Sequence, residues 1–281
     1  MKETLIIMFK GFFIGSSMSV PGVSGGTMAI LLGIYDHLIS SISNFFKDIK
    51  GNFLYLAKFC LGAALGIGTL AFLIKWLLEK FPLPVSFFFL GAVIGGIPAL
   101  YKKTKESPLR FSSFLFFAFG LAVVIAIGFL PVGIFDFSSG SYLNRSLLLL
   151  LSGIIIAVAL ILPGISTSHM LLVLGMYDTM LAAITGFDLV YLGILGFSVL
   201  IGVILTTKPL EWTMNTHPHK TYCTIIGFVL GSTSEIFRFK IVPALPQSAS
   251  AGWWILSVVI SVFTFILGIL FIKFLSRYST E

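Results

Sequence analysis

The chain has 281 residues, of which 57% are hydrophobic and only 10% are charged, and its mean hydropathy is +1.06. A soluble globular protein is usually about 25% charged, so the composition excludes a water-soluble domain and indicates an all-α polytopic membrane protein, with one membrane domain over residues 1–281. The net charge of +7 does not indicate a nucleic-acid partner, because the basic residues stand between apolar segments, as in the positive-inside pattern.

In chain order, the apolar segments predict two similar sets of membrane elements. Each set has two arms joined by a break that contains proline and glycine, followed by three spans. The arms lie near 5–20 and 27–45 in the first set and near 146–162 and 169–186 in the second, and the spans lie near 53–78, 84–101, 111–131, 189–207, 221–237 and 252–274. The uncharged run from 146 to 177 is too long for one helix across a core of about 30 Å, so Pro163 and Gly164 must break it.

An internal repeat relates the two sets. Residues 21–36 read PGVSGGTMAILLGIYD and residues 163–178 read PGISTSHMLLVLGMYD, and eight of these 16 positions are identical. A pair of arms that returns to the side from which it entered, followed by three spans, ends on the opposite side of the membrane. The second repeat therefore starts from that opposite side and has inverted topology. We therefore expect an inverted-topology duplication of residues 1–136 and 137–281, in which each repeat is a re-entrant helical hairpin plus three transmembrane helices. Ten full spans are the alternative.

The positive charges orient the chain. Thirteen of the 18 Lys and Arg residues fall on one predicted side of the membrane, and this asymmetry places both termini in the cytoplasm.

The hairpin tips are the candidate binding site. A helix N-terminus offers free N–H groups and the positive end of the helix dipole, glycine lets an anion approach the backbone, and hydroxyls add donors. The residues that start the second arms are Ser24, Gly25, Gly26, Thr27, Ser166, Thr167, Ser168 and His169. They predict a phosphate or carboxylate site, and the alternative is a turn capped by its own Ser and Thr. The structural breaks of the hairpins are assigned to Pro21, Gly22, Pro163 and Gly164.

Other features carry simpler interpretations. Small residues four apart indicate close helix packing, as in Gly62/Gly66, Gly91/Gly95 and Gly227/Gly231. Glu235 ends an apolar span, where a place at the membrane interface beside Arg238 is preferred over an intramembrane carboxylate coupled to protons. No Cys or His cluster predicts a metal site or a cofactor, and no phosphate-binding loop predicts ATP hydrolysis.

The run GSSMSVPGVSGGTMAILLGIYDHLI and the later LPGISTSHMLLVLGMYD resemble the polyprenyl-phosphate transporter family, as does FFLGAVIGGIPALYKK. The resemblance covers nearly the whole chain. It implies a multi-pass protein of the bacterial plasma membrane that returns undecaprenyl phosphate for reuse in cell-wall synthesis. The family usually has Asp at the position of Met18 and Gly-Ser after the second motif, where this chain has Thr167 and Ser168. A coupling role of that Asp therefore does not carry over.

These observations give three hypotheses of function. The first is a secondary transporter, or flippase, for a polyprenyl-phosphate lipid, in which the tips hold the phosphate and protons are the candidate coupling ion; it is not an enzyme. The second is a membrane-embedded enzyme acting on lipid phosphates, with His169 and Ser166 or Ser168 as its only hint. The third is a transporter for a small anion. The sequence leaves tail length and oligomeric state open.

Overall fold

A computed structural model describes residues 2–18, 23–104, 111–135, 142–246 and 250–277. These residues form thirteen α-helices, a short 3-10 helix and a π-helical turn, with no strand among them, so the predicted all-α class is confirmed. The helices are α1 Lys2–Met18, α2 Gly25–Leu31, α3 Tyr35–Ser43, α4 Ile49–Lys80, α5 Pro82–Lys103, α6 Phe111–Gly128, α7 Tyr142–Ile161, α8 Thr167–Val173, α9 Tyr177–Thr185, α10 Leu189–Thr216, α11 Pro218–Ile236, α12 Val242–Ala244 and α13 Ala251–Arg277. The 3-10 helix is Phe45–Lys47, and the π-helical turn is Phe237–Ile241.

Six of the described helices are long and apolar enough to cross a membrane. They lie in α4, α5, α6, α7, α10 and α13. Two further helix pairs, α2 with α3 and α8 with α9, meet the same criteria only when each bent pair is taken together, which raises the number to eight. Five of the six predicted spans are thus among the apolar membrane helices. The sixth, α11, is helical as predicted but carries more polar side chains.

Four helix pairs carry most of the packing. Two of these pairs lie within one half of the chain: α1 packs along α4, and α7 packs along α10. Between the halves, α5 packs on α13 and α6 packs on α11, while α5 and α11 also contact each other. The two halves are therefore interleaved through their last helices.

Glycines allow these close contacts, as the small-residue pattern predicted. A methyl group at Gly62 or Gly66 would overlap the backbone of α1, and one at Gly91 would overlap the backbone of α13. A methyl group at Gly227 would likewise overlap the α6 backbone. Close approach increases van der Waals contact, which supplies much of the association between helices in lipid.

The second arm of each predicted hairpin is not one helix, which corrects the sequence interpretation. α2 ends before Gly33, and α3 then leaves at 117°; α8 ends before Gly175, and α9 leaves at 107°. Both glycines have positive φ, 69° and 75°, a conformation that costs other residues about 1–2 kcal/mol. Each second arm is therefore a seven-residue helix followed by a sharp bend.

Matching positions of the two halves share local geometry beyond this bend. Asp48 caps α4 by accepting from the Gly51 N–H, and Asp188 caps α10 by accepting from the Tyr191 N–H. At the ends of the same two helices, Phe81 has φ −133° and ψ 58°, and His217 has φ −131° and ψ 52°. The sequence repeat thus coincides with a repeat of caps and turns.

Candidate functional site

The first tip, residues 23–27, begins α2 inside the protein. Ser24 is extended, with φ −84° and ψ 133°, and stands at the N-cap position without using its side chain as a cap. Only 3% of Ser24 is exposed, and its Oγ has no hydrogen-bond partner among the described residues. A buried hydroxyl without a partner is costly, so this atom is available for a ligand. Pro21 and Gly22, the predicted break of this hairpin, lie outside the described residues.

The second tip, residues 162–169, begins α8 and uses its serine differently. Ser166 Oγ accepts a hydrogen bond from the His169 N–H at 3.3 Å, which is the usual N-cap interaction. Gly164 has φ +83°, and a methyl group there would overlap the Phe228 carbonyl oxygen on α11. Thr167 and Ser168 are half-buried. Pro163 and Gly164 form the turn that follows α7.

The two tips contact each other directly. The Gly164 N–H donates to Thr27 Oγ1 at 2.8 Å, and the Tyr35 hydroxyl donates to the Ile161 carbonyl at 2.8 Å. Both bonds are buried and join residues more than 100 positions apart in the chain. They give partners to the Ile161 carbonyl, which the end of α7 leaves free, and to the Gly164 N–H in the turn that follows. A methyl group at Gly26 would lie 3.2 Å from the Ile161 oxygen and the Pro163 Cα, so this glycine permits the tips to approach.

Two side-chain atoms of the tips have no hydrogen-bond partner among the described residues. One is Ser24 Oγ, and the other is His169 Nε2, in a residue that is 8% exposed. The His169 ring lies against the Phe239 ring, with centroids 5.1 Å apart. The structure thus brings Gly26 and Thr27 of the first tip against the turn of the second. The polar groups of the tips are unequal: Thr27 and Ser166 have partners, whereas Ser24 and His169 each keep a polar atom without a described partner.

Glu235 is buried in the protein and forms no ion pair with Arg238. It is 2% exposed, and neither carboxylate oxygen has a hydrogen-bond partner in the described part of the chain. Its neighbour Arg238 turns away, donating to the Gly128 carbonyl at 2.8 Å and lying over the Phe129 ring. Arg238, which the sequence analysis placed beside Glu235, therefore binds the end of α6 instead.

Sequence reasoning missed the role of Tyr35. Its hydroxyl holds the end of α7, and the residue is 2% exposed. The signal was present, because Tyr35 and Tyr177 match in the repeat, but Tyr177 is exposed. Only the fold distinguishes the two tyrosines.

No three of the His, Cys, Asp and Glu residues that the structure describes lie close enough together to hold a metal ion. The polar groups of the candidate site are therefore hydroxyls, an imidazole and backbone amides.

Fold and site together define a polytopic α-helical membrane protein with interrupted helices meeting in its interior. Interrupted helices at membrane depth are tolerated where protein or a watery cavity surrounds them, and they form binding sites in many transporters.

Comparison with known proteins assigns the family. The sequence pattern of the undecaprenyl phosphate translocase-like family matches residues 14–253, and the chain belongs to this family. It is 36% identical over 276 residues to the polyprenyl-phosphate transporter of Staphylococcus aureus (strain NCTC 8325 / PS 47), covering 94% of both chains. It is 32% identical over 251 residues to the polyprenyl-phosphate transporter of Vibrio cholerae serotype O1 (strain ATCC 39315 / El Tor Inaba N16961), covering 82% of this chain and 77% of the relative. No solved structure matches the chain.

Proposed function

We propose that this protein moves a polyprenyl phosphate, such as undecaprenyl phosphate, across the bacterial plasma membrane and so returns the lipid carrier for reuse. Its relatives are named polyprenyl-phosphate transporters. The observation that carries the proposal is the direct contact of the two tips, whose Ser24 Oγ and His169 Nε2 are buried and have no partner among the described residues. A phosphate accepts hydrogen bonds from hydroxyl, imidazole and backbone donors, and charge-assisted bonds of this kind are roughly twice as strong as neutral ones.

The inverted repeat is part of this proposal. Two tips of similar sequence meet at one point, and each is followed by a short helix and a sharp bend. If the two halves enter from opposite sides, one arrangement of the tips faces each leaflet, which is the basis of alternating access. The phosphate would then exchange between sides while the tips stay at the centre.

The lipid tail has an apolar path beside the first tip. A cavity of about 230 Å³ touches Gly25 and Gly26 and is lined by apolar side chains of α1, α4 and α7, among them Ile14, Leu56 and Leu160. Burying isoprene units there contributes about 25 cal/mol per Å² of apolar area. The headgroup and the first isoprene units can thus bind adjacent surfaces, which favours a lipid phosphate over a small anion.

The decisive experiment is headgroup exposure in liposomes that contain the purified protein. Protein-dependent flipping of polyprenyl phosphate should exceed that of phosphatidylcholine, because the positive ends of the helices disfavour an ammonium group. Equal flipping of both lipids would indicate a nonspecific scramblase. Release of free phosphate would instead support the enzyme hypothesis, and transport of free phosphate alone would support the small-anion hypothesis.

The site is tested by Ser24→Ala, with Ser41→Ala as the matched control. Both serines are buried and have unpaired Oγ atoms, but Ser41 stands on α3, away from the tips. Loss of the Ser24 hydroxyl should weaken polyprenyl-phosphate binding by about 0.5–3 kcal/mol, whereas Ser41→Ala should not. Equal binding by the two variants would contradict a phosphate site at the first tip.

The topology is tested by single cysteines in a variant that lacks Cys60 and Cys223. A cysteine at Lys102 should react only with a reagent in the cytoplasm, and one at Val132 only with a reagent outside. Both positions are exposed. Labelling of both from one side would contradict the inverted repeat.

A further inference from the structure

Lys10 is a buried cation in the first half of the chain. Only 5% of the residue is exposed to anything outside the protein, whether water or lipid. A lysine near a helix end usually extends its ammonium to the membrane surface, but Lys10 lies midway along α1, which runs from Lys2 to Met18. Burying an ammonium costs several kcal/mol unless an anion compensates it.

No acidic side chain compensates this charge within residues 2–18, 23–104, 111–135, 142–246 and 250–277. Their one ion pair joins Lys103 to Asp36, and no acidic group lies within ion-pair distance of Lys10. The described residues therefore supply no anion for this cation.

Lys10 lines a cavity of about 430 Å³ whose other walls are apolar. They come from α1, α13 and the residue after α2, and include Phe9, Phe13, Leu32 and Phe274. A cation in an otherwise apolar cavity complements an amphiphile with an anionic headgroup and a hydrocarbon chain. It does not suit inorganic phosphate, whose hydration these walls could not replace.

A second cavity continues the apolar surface. It has a volume of about 380 Å³, shares Phe13 with the Lys10 cavity, and reaches Ser17 and Met28 beside the first tip. Phe13 and Phe271 lie edge to face between the two cavities, with centroids 5.7 Å apart. Lys10 stands eight residues before the end of α1 at Met18, which is about 12 Å along the helix. The first tip and Lys10 are thus separate positions on one apolar surface.

The internal repeat shows that this position is an interior one in both halves. Gly11 matches Gly153, so Lys10 matches Ser152, which is 0% exposed and has an unpaired Oγ. One half therefore has a cation where the other has a small hydroxyl. A headgroup that passes through the protein would be held more tightly on the side of Lys10.

From these observations we propose that the Lys10 cavity binds the phosphate of a polyprenyl phosphate, as a second station distinct from the tips. The inference rests on the proposed function and adds the residue that supplies the missing positive charge. In this site the ammonium pairs with the phosphate, and the isoprene units next to it contact Phe9, Phe13 and Phe274.

The test compares lipid binding by the purified full chain and by three variants. The lipids are a polyprenyl phosphate, the polyprenol of the same length, and phosphatidylglycerol. Lys10→Met should weaken polyprenyl-phosphate binding about tenfold or more, since a charge-assisted hydrogen bond is lost, and should leave polyprenol binding unchanged. Lys10→Arg should bind the phosphate within a few-fold of the wild type. Lys50→Met, which changes an exposed lysine, is the control and should bind all lipids like the wild type.

Three binding outcomes overturn the inference. The first is unchanged polyprenyl-phosphate binding by Lys10→Met. The second is equal loss of polyprenol and polyprenyl-phosphate binding, which would assign Lys10 a structural role. The third is stronger binding of phosphatidylglycerol than of polyprenyl phosphate by the wild type, which would assign the cavity to a bulk membrane lipid.

A photoreactive polyprenyl phosphate with its reactive group next to the phosphate locates the site even if a variant folds poorly. In the wild type it should label residues 2–18 and 270–277 as well as the tips. Labelling of the tips alone would overturn the second station. Failure of the proposed function looks different, because the wild type would then neither bind nor flip polyprenyl phosphate in liposomes, whatever residue stands at position 10.

Discussion

The two tips have similar sequences, but the hydroxyls at their matching positions make different hydrogen bonds. Ser24 and Ser166 occupy matching positions, yet Ser166 caps its own helix while Ser24 Oγ has no partner among the residues that the structure describes. Three residues on, Thr27 accepts from the opposite tip, whereas His169 turns its ring toward Phe239. The comparison shows that repeated residues divide between holding the fold and remaining free for a ligand.

The largest expected effect concerns the turn of the second tip. Gly164→Ala places a side chain at a positive φ and brings it into overlap with the Phe228 carbonyl. Together these effects should destabilise the protein by about 2–5 kcal/mol. Gly133 has a similar φ of +78° with open space around it, so Gly133→Ala should cost only about 1–2 kcal/mol. Thermal unfolding in detergent measures both. Equal losses would show that contact with α11 adds nothing at this tip.

The next effect concerns the bond between the tips. Thr27→Val leaves the Gly164 N–H without its acceptor and should destabilise the protein by about 1–3 kcal/mol, while Thr27→Ser should restore most of the loss. Thr69, whose exposed hydroxyl bonds its own helix, gives the control Thr69→Val, which should change the melting temperature little. A stable Thr27→Val variant would indicate that the junction does not depend on this bond.

The two serines should separate stability from binding. Ser166→Ala removes an N-cap and should cost about 1 kcal/mol of stability, with a smaller effect on polyprenyl-phosphate binding. Ser24→Ala removes no hydrogen bond to a described residue and should leave the melting temperature unchanged while weakening binding. Measuring unfolding and polyprenyl-phosphate binding on the same preparations tests whether one variant loses mainly stability and the other mainly binding. Identical behaviour of the two variants would contradict different roles for the two serines.

The smallest effect concerns the aspartates that follow the bends. Asp36 pairs with Lys103, whereas the matching Asp178 is exposed and has no ion pair with any residue that the structure describes. Asp36→Asn should cost less than about 1 kcal/mol, because the pair is partly exposed, and Asp178→Asn should cost nothing measurable. A larger loss of stability for Asp178→Asn than for Asp36→Asn would contradict the ion pair as the source of the difference.

Much of the fold follows from local sequence. The spans can be predicted from apolar length, the break at Pro163 and Gly164 from backbone chemistry, and the close packing at Gly62, Gly91 and Gly227 from the spacing of small residues. The bends at Gly33 and Gly175 were missed although both glycines lie in the repeat, because an apolar run on both sides hides the change of direction.

The sequence by itself determined an all-helical membrane protein, and its internal repeat of sequence located segments that interrupt the helices. Only the tertiary structure decided which polar groups there are free. Thr27 finds its partner 137 residues away, Arg238 donates to the end of α6 instead of pairing with Glu235, and Lys10 lines a cavity together with residues of α13. Apolar spacing is a local property of the chain, whereas hydrogen-bond partners and burial depend on which distant helices pack together.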